Sequence, residues 1–126
     1  MSLRTPLGRV RGLGSAREGT RHWWAQRLTA IALIPLSVWF ICALVKMISM
    51  EYATVIAWMQ SPIVSSLLIL FIFSLFYHAQ LGMQVVIEDY VASEALKLGS
   101  IILLKFVMLF AGLASIIAVL KILLGL

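Results

Sequence analysis

Three long apolar runs constrain this chain more than any other feature of its sequence. They extend roughly from Leu28 to Val45, from Ile63 to Ile87 and from Leu98 to Leu120. Each run is close to the ~20 residues that an α-helix needs to cross the hydrocarbon core of a bilayer. The sequence therefore predicts an all-α membrane protein with three transmembrane helices, contained in residues 24–126.

The composition agrees with a membrane protein and argues against an enzyme that is complete in one chain. Of 126 residues, 63% are hydrophobic and 12% are charged, whereas soluble domains average about 25% charged residues. With Cys42 as the sole cysteine, the chain cannot supply the four thiolates of an ordinary iron–sulfur cluster. It also lacks a G-x-G-x-x-G stretch for a dinucleotide. We therefore expect no catalytic site in this chain by itself.

The basic residues are concentrated ahead of the first apolar run. Six of the ten precede or open it: Arg4, Arg9, Arg11, Arg17, Arg21 and Arg27. By the positive-inside rule, residues 1–23 form a tail on the cytoplasmic side, or on the matrix side in an organelle, and three spans then place the C-terminus outside. Four glycines predict that this tail is extended or looped: Gly8, Gly12, Gly14 and Gly19. Membrane lipids with anionic headgroups account for the net charge of +5, so we expect no nucleic-acid partner.

The two connections between spans differ in character. Residues 46–61 are too apolar for a solvated loop, and Val55, Trp58 and Met59 predict one side of a short interfacial helix. Ser61 and Pro62 then read as the N-cap and first helical position of the second span. The inner connection is predicted as a loop from Glu88 to Lys97.

His78 lies inside the second apolar run, and an ionisable side chain at membrane depth indicates a functional site. At about 100° per residue its stripe also contains Leu75, Leu81, Gly82, Val85 and Asp89. Haem iron is the favoured partner, because a neutral imidazole ligates it and Gly82 leaves room for a flat macrocycle. The alternative is a histidine hydrogen-bonded to a neighbouring helix. Because His22 precedes the first span, a second ligand at equal depth requires another subunit.

Polar residues at the inner boundary suggest further chemistry. Tyr90 can donate a hydrogen bond to a quinone carbonyl while Asp89 handles protons, although a boundary tyrosine also serves as a simple membrane anchor. The guanidinium of Arg27 can neutralise haem propionates bidentately, or it can act only as a topology signal.

A family resemblance rests on two motifs. The segment His78-Ala79-Gln80-Leu81-Gly82-Met83, followed by Asp89-Tyr90-Val91, resembles the H-A-x-x-G-M and D-Y-V signature of the small hydrophobic membrane anchor of succinate dehydrogenase. The stretch from Gly14 to Ala30 resembles its alphaproteobacterial form.

The resemblance implies a membrane-anchoring subunit of complex II in the bacterial inner membrane, rather than the mitochondrial one. It implies that His78 is one axial ligand of haem b, and that a second membrane anchor protein supplies the other and completes the helical bundle. Tyr90 would bind the ubiquinone carbonyl with support from Asp89, and His22 and Arg27 would lie near the propionates. An iron–sulfur subunit and a flavoprotein subunit would complete the enzyme of the tricarboxylic acid cycle and respiratory chain.

Two alternatives stay open from the sequence. The chain could anchor a fumarate reductase or another haem b quinone oxidoreductase, because the direction of catalysis depends on the soluble subunits. A different class is a non-redox accessory or transporter subunit, in which His78 relays protons.

Overall fold

The computed structural model describes residues 6–7 and 16–126, with side chains from Gly19 onward in the longer segment. Residues 16–126 form four helices: α1 (Ala16–Met47), α2 (Tyr52–Met59), α3 (Pro62–Tyr90) and α4 (Glu94–Leu124). The three long helices are long and apolar enough to cross a membrane. The prediction of an all-helical chain with three candidate spans is therefore confirmed.

Helix α1 begins well before the apolar run that predicted it. Gly19 lies inside this helix, so the expectation of an extended or looped tail is wrong from Ala16 onward. Gly8, Gly12 and Gly14 lie outside the described residues. A glycine costs a helix about 1 kcal/mol relative to alanine, and the strong helix formers Ala16, Arg17 and Glu18 before Gly19 offset part of that cost. The predicted boundary between tail and membrane domain, at residues 23 and 24, falls within α1.

The short helix α2 covers part of one end of the bundle, and the prediction of a short helix in this connection is confirmed. Trp58 stacks on Trp39 of α1 with ring centroids 6.0 Å apart. Just after the helix, Gln60 Nε2 donates to the Ile122 carbonyl near the end of α4, at 3.2 Å. The outer connection is therefore fastened to both α1 and α4.

The starts of α3 and α4 are set by different caps. Pro62 occupies the first turn of α3 as predicted. Ser61 occupies the N-cap position, but its side chain makes no capping hydrogen bond. At α4, Ser93 Oγ accepts from the Leu96 N–H at 3.5 Å.

The inner connection is much shorter than predicted. It comprises residues 91–93 only, so the expected loop from Glu88 to Lys97 is wrong. Glu88 remains in α3, and Glu94 begins α4, where its carboxylate lies 3.4 Å from Lys97 Nζ. The physical reason is that no glycine or proline interrupts residues 88–97, while an acidic first residue stabilises a helix N-terminus.

Helix α3 lies between α1 and α4. Phe71 of α3 stacks on Phe40 of α1 at 4.8 Å, and a Cβ added at Gly112 of α4 would lie 3.6 Å from Phe76 of α3. The buried apolar core is small: Leu36, Ala43, Leu68, Phe71, Leu81 and Val119. Within the three apolar spans only 11–22% of residues are buried in the chain. Most of the apolar surface must therefore contact lipid or other proteins.

Candidate cofactor site around His78

A hydrogen bond joins His78 to a neighbouring helix, as the alternative to haem ligation predicted. Its Nδ1 lies 3.0 Å from Oγ1 of Thr29 on α1, and Thr29 is only 8% exposed. The same hydroxyl oxygen lies 2.8 Å from the Ala25 carbonyl oxygen and 3.1 Å from that of Gln26. If the hydroxyl donated to Nδ1, its oxygen would face both carbonyl oxygens with no proton between them. The hydroxyl therefore donates within α1 and accepts from Nδ1–H.

This hydrogen bond leaves the lone pair of His78 on Nε2. No side chain among the described residues bonds to Nε2, and the ring is half-buried. A metal-ligating histidine commonly donates its other N–H to such an acceptor, which fixes the tautomer and the ring orientation. The described residues contain no group of three or more His, Cys, Asp or Glu side chains able to hold a metal.

The residues predicted to share one face of α3 with His78 differ in their exposure. Leu81 is buried within the chain at 5% exposure, whereas Leu75 and Val85 are exposed. Gly82 faces α1, where an added Cβ would lie 3.6 Å from Gln26 Nε2. The space that was assigned to a macrocycle beside Gly82 is therefore partly occupied by the Gln26 side chain.

Two polar atoms on the α3-facing side of α1 have no partner. His22 Nε2 and Gln26 Oε1 are buried without a hydrogen bond within the part of the chain that the structure describes. Together with Thr29 they follow helical spacing along one face of α1. Sequence reasoning missed Gln26 and Thr29 as site residues. The available signal was this row of polar residues, four and three positions apart, running into an apolar span.

The two propionate candidates are separated. His22 and Arg27 are five residues apart in sequence, which places their side chains about 140° apart around the axis of α1. His22 is half-buried in the bundle, whereas Arg27 is exposed. The guanidinium carbon of Arg27 lies 5.2 Å from the ring centroid of Trp23. The structure therefore does not bring these two residues together.

Asp89 and Tyr90 are the last two residues of α3. They lie roughly 17 Å along the helix from His78 at 1.5 Å per residue. Both are exposed, Tyr90 at 84%. Any quinone pocket that includes them would need walls from outside the described part of this chain.

Comparison with known proteins assigns the family. Residues 1–120 match the family described as the succinate dehydrogenase/fumarate reductase transmembrane subunit. The chain belongs to this family. It is a membrane anchor subunit, as the motifs around His78 and Tyr90 suggested.

Similar proteins cover between two thirds and nine tenths of this family member. It is 34% identical to the succinate dehydrogenase hydrophobic membrane anchor subunit of Rickettsia bellii, covering 93% of this chain and 94% of that protein. Identity to the Rickettsia conorii subunit of the same name is 35%, covering 92% and 93%. The Paracoccus denitrificans subunit of the same name is 33% identical, covering 68% and 67%. The alphaproteobacterial resemblance is confirmed.

Proposed function

We propose that this chain anchors a succinate dehydrogenase to the bacterial inner membrane and provides one axial ligand of haem b through His78. The family match over residues 1–120 supports the anchoring role, and the 3.0 Å contact between His78 Nδ1 and Thr29 Oγ1 supports the ligand role. It orients the imidazole and leaves Nε2 available on a half-buried ring at membrane depth. Haem b, when bound, supplies a one-electron carrier near the quinone.

The residues present fit such a group, provided that a second protein chain completes the site. The partner anchor protein would supply the second axial ligand, because His22 is seven residues from Thr29 and so about 10 Å from the level of His78. Arg27 and His22 are the candidates for the propionates. We favour Arg27, because its cation is exposed and lies two residues, or about 3 Å of helix, from the level of Thr29, whereas His22 lies on a different face.

For the quinone, Tyr90 would donate a hydrogen bond to a ubiquinone carbonyl and Asp89 would support it. Their exposure suits a pocket whose remaining walls come from the partner anchor and the iron–sulfur subunit. Quinone reduction consumes protons as well as electrons, and a carboxylate at the inner surface can receive protons from the cytoplasm. No proton then needs to cross the bilayer.

The soluble iron–sulfur and flavoprotein subunits would oxidise succinate on the cytoplasmic face. The basic residues that precede the first span support a cytoplasmic N-terminus and a periplasmic C-terminus. The family description names fumarate reductase as well as succinate dehydrogenase. An anchor of fumarate reductase is therefore the second candidate, distinguished by the soluble subunits and the quinone.

The test is affinity purification of the tagged chain in mild detergent, with identification of co-purifying subunits and a dithionite-reduced minus oxidised visible spectrum. We expect a b-type haem band together with a flavoprotein and an iron–sulfur protein. Absence of both the band and these subunits would contradict the proposal and favour a non-redox accessory or transporter subunit.

A further inference from the structure

A polar cavity of about 480 Å³ opens between α1, α3 and α4 on the inner half of the bundle. Its lining includes Arg21 and His22 from α1, Gln84 and Glu88 from α3, and Lys105 from α4. His78 is not among its lining residues, whereas its helix neighbours Tyr77, Gln80 and Leu81 are, together with the second propionate candidate, His22.

The cavity contains more positive than negative charge. The one ion pair among residues whose side chains are described joins Lys97 to Glu94. Arg21 and Lys105 therefore have no described carboxylate partner, while Glu88 accepts a hydrogen bond from Gln84 at 3.0 Å. Cations within a membrane span are costly unless they are paired or hydrated. An anionic group would complete this lining.

The two cations lie at about the same depth. Thr29 is level with His78, and Arg21 precedes Thr29 by eight residues, or about 12 Å of helix. Gly112 is level with Phe76, and Lys105 precedes Gly112 by seven residues, or about 10 Å. Because α3 runs antiparallel to α1 and α4, Arg21 and Lys105 are both about level with Gln84 of α3. Side chains on α1 and α4 lean toward their N-termini, so both cations extend toward the inner membrane surface.

An apolar groove continues from this cavity between α3 and α4. It has a volume of about 170 Å³, is lined by Phe76, Met108 and Leu113 among others, and shares Tyr77 and Gln80 with the polar cavity. A charged space near the inner surface therefore opens into an apolar channel running toward the bilayer centre. This combination matches a molecule with an anionic head and a hydrocarbon tail.

We propose that this site binds one anionic phospholipid, with the phosphate between Arg21 and Lys105 and one acyl chain in the groove. The unpaired Nε2 of His22 provides a further polar contact for the headgroup. An isoprenoid quinone would also fit the groove, but it carries no negative charge to pair with the two cations. The inference does not depend on haem ligation by His78.

The experiment uses the purified, delipidated complex with either phosphatidylglycerol or phosphatidylcholine of identical acyl chains, followed by native mass spectrometry of the retained lipid. We expect tighter retention of phosphatidylglycerol by the wild-type complex. Arg21→Gln and Lys105→Gln should each weaken it about fivefold, since one cation near an anionic headgroup contributes about 1 kcal/mol. Lys97→Gln, a cation on the same side but outside the cavity, is the matched control and should retain the lipid.

Equal retention of the two lipids by the wild-type complex would overturn the proposal without requiring any variant. Unchanged retention in the double variant Arg21→Gln, Lys105→Gln would also overturn it. If that variant does not assemble, the charge-preserving pair Arg21→Lys and Lys105→Arg should assemble and retain phosphatidylglycerol. Displacement of the lipid by inorganic phosphate alone, or by ubiquinone, would reject the lipid in favour of that ligand.

Discussion

The hydroxyl of Thr29 determines which nitrogen of His78 is available, so a residue on α1 controls the chemistry of a residue on α3. The Thr29 hydroxyl donates its hydrogen bond within α1, to the Ala25 carbonyl oxygen. Nδ1 must then be the donor, and Nε2 retains the lone pair. At the scale of single residues, a change at Thr29 should therefore alter the orientation and protonated nitrogen of His78.

Replacing Thr29 by Val should weaken haem binding, because valine has a similar shape but cannot accept from Nδ1–H. Loss of an acceptor behind a metal-ligating histidine typically lowers metal affinity by roughly 10- to 100-fold. Haem content per complex and the haem reduction potential are the measurements. Thr29→Ser keeps the hydroxyl and should restore both values; an unchanged potential in Thr29→Val would remove the positioning role.

Replacing Tyr90 by Phe should slow quinone reduction while leaving haem in place. Its ring lies at the exposed end of α3, so removal of the hydroxyl should not disturb packing. One lost hydrogen bond of roughly 1.4 kcal/mol corresponds to about tenfold in rate. Succinate–ubiquinone reductase activity, normalised to haem content, is the measurement. Loss of the haem spectrum in this variant would contradict the quinone role.

His78 and the family motif could be found from sequence, because an ionisable residue in an apolar run is conspicuous. Thr29 could not be singled out in the same way. A threonine that bonds its own helix at Ala25 is unremarkable in a membrane span. Its role appears only when the rotation of α1 relative to α3 is known, and the sequence pattern does not contain that rotation.

At the scale of elements, apolar length predicted the three long helices but not where they end. Hydropathy reports the part of a helix that lies in hydrocarbon, whereas backbone hydrogen bonds can continue into the polar boundary. α1 therefore begins at Ala16 and α3 continues to Tyr90. The short helix α2 could be predicted because its connection was too apolar to be a solvated loop.

Gly112 of α4 faces Phe76 of α3. Substitutions at Gly112 therefore test the packing between these two helices. A methyl group there would lie 3.6 Å from Phe76, which is an ordinary contact, so Gly112→Ala should be tolerated. Gly112→Leu should overpack the interface and destabilise the fold by about 1–3 kcal/mol. Thermal denaturation of the purified complex measures the difference. Equal stability of the two variants would mean that α3 and α4 do not pack at this level.

At the scale of the whole molecule, the apolar surface of the three long helices is left for lipid or other proteins to cover. Only 11–22% of the span residues are buried within the chain. The sequence predicts a partner only if His78 binds haem, because the second histidine lies at a different depth. It could not predict the polar cavity, which is formed by side chains from three helices far apart in the chain.

The proposed orientation makes a simple prediction about the intact chain in a bacterial membrane. With the arginine-rich N-terminus in the cytoplasm and three spans, a C-terminal fusion lies in the periplasm. Alkaline phosphatase, which requires oxidation in the periplasm, should be active when fused after Leu126. A cytoplasmic fluorescent reporter at the same position should be dark. The opposite pattern would reverse the orientation and place Tyr90 on the wrong side for the soluble subunits.

The most direct measurement is the reduced minus oxidised visible spectrum of the purified complex carrying His78→Ala, compared with His22→Ala and wild type. His78→Ala should lose or strongly alter the b-type band while the soluble subunits still co-purify. His22→Ala should keep the band, because its imidazole lies about 10 Å from the level of His78. An unchanged spectrum in an assembled His78→Ala complex would contradict axial ligation by this residue.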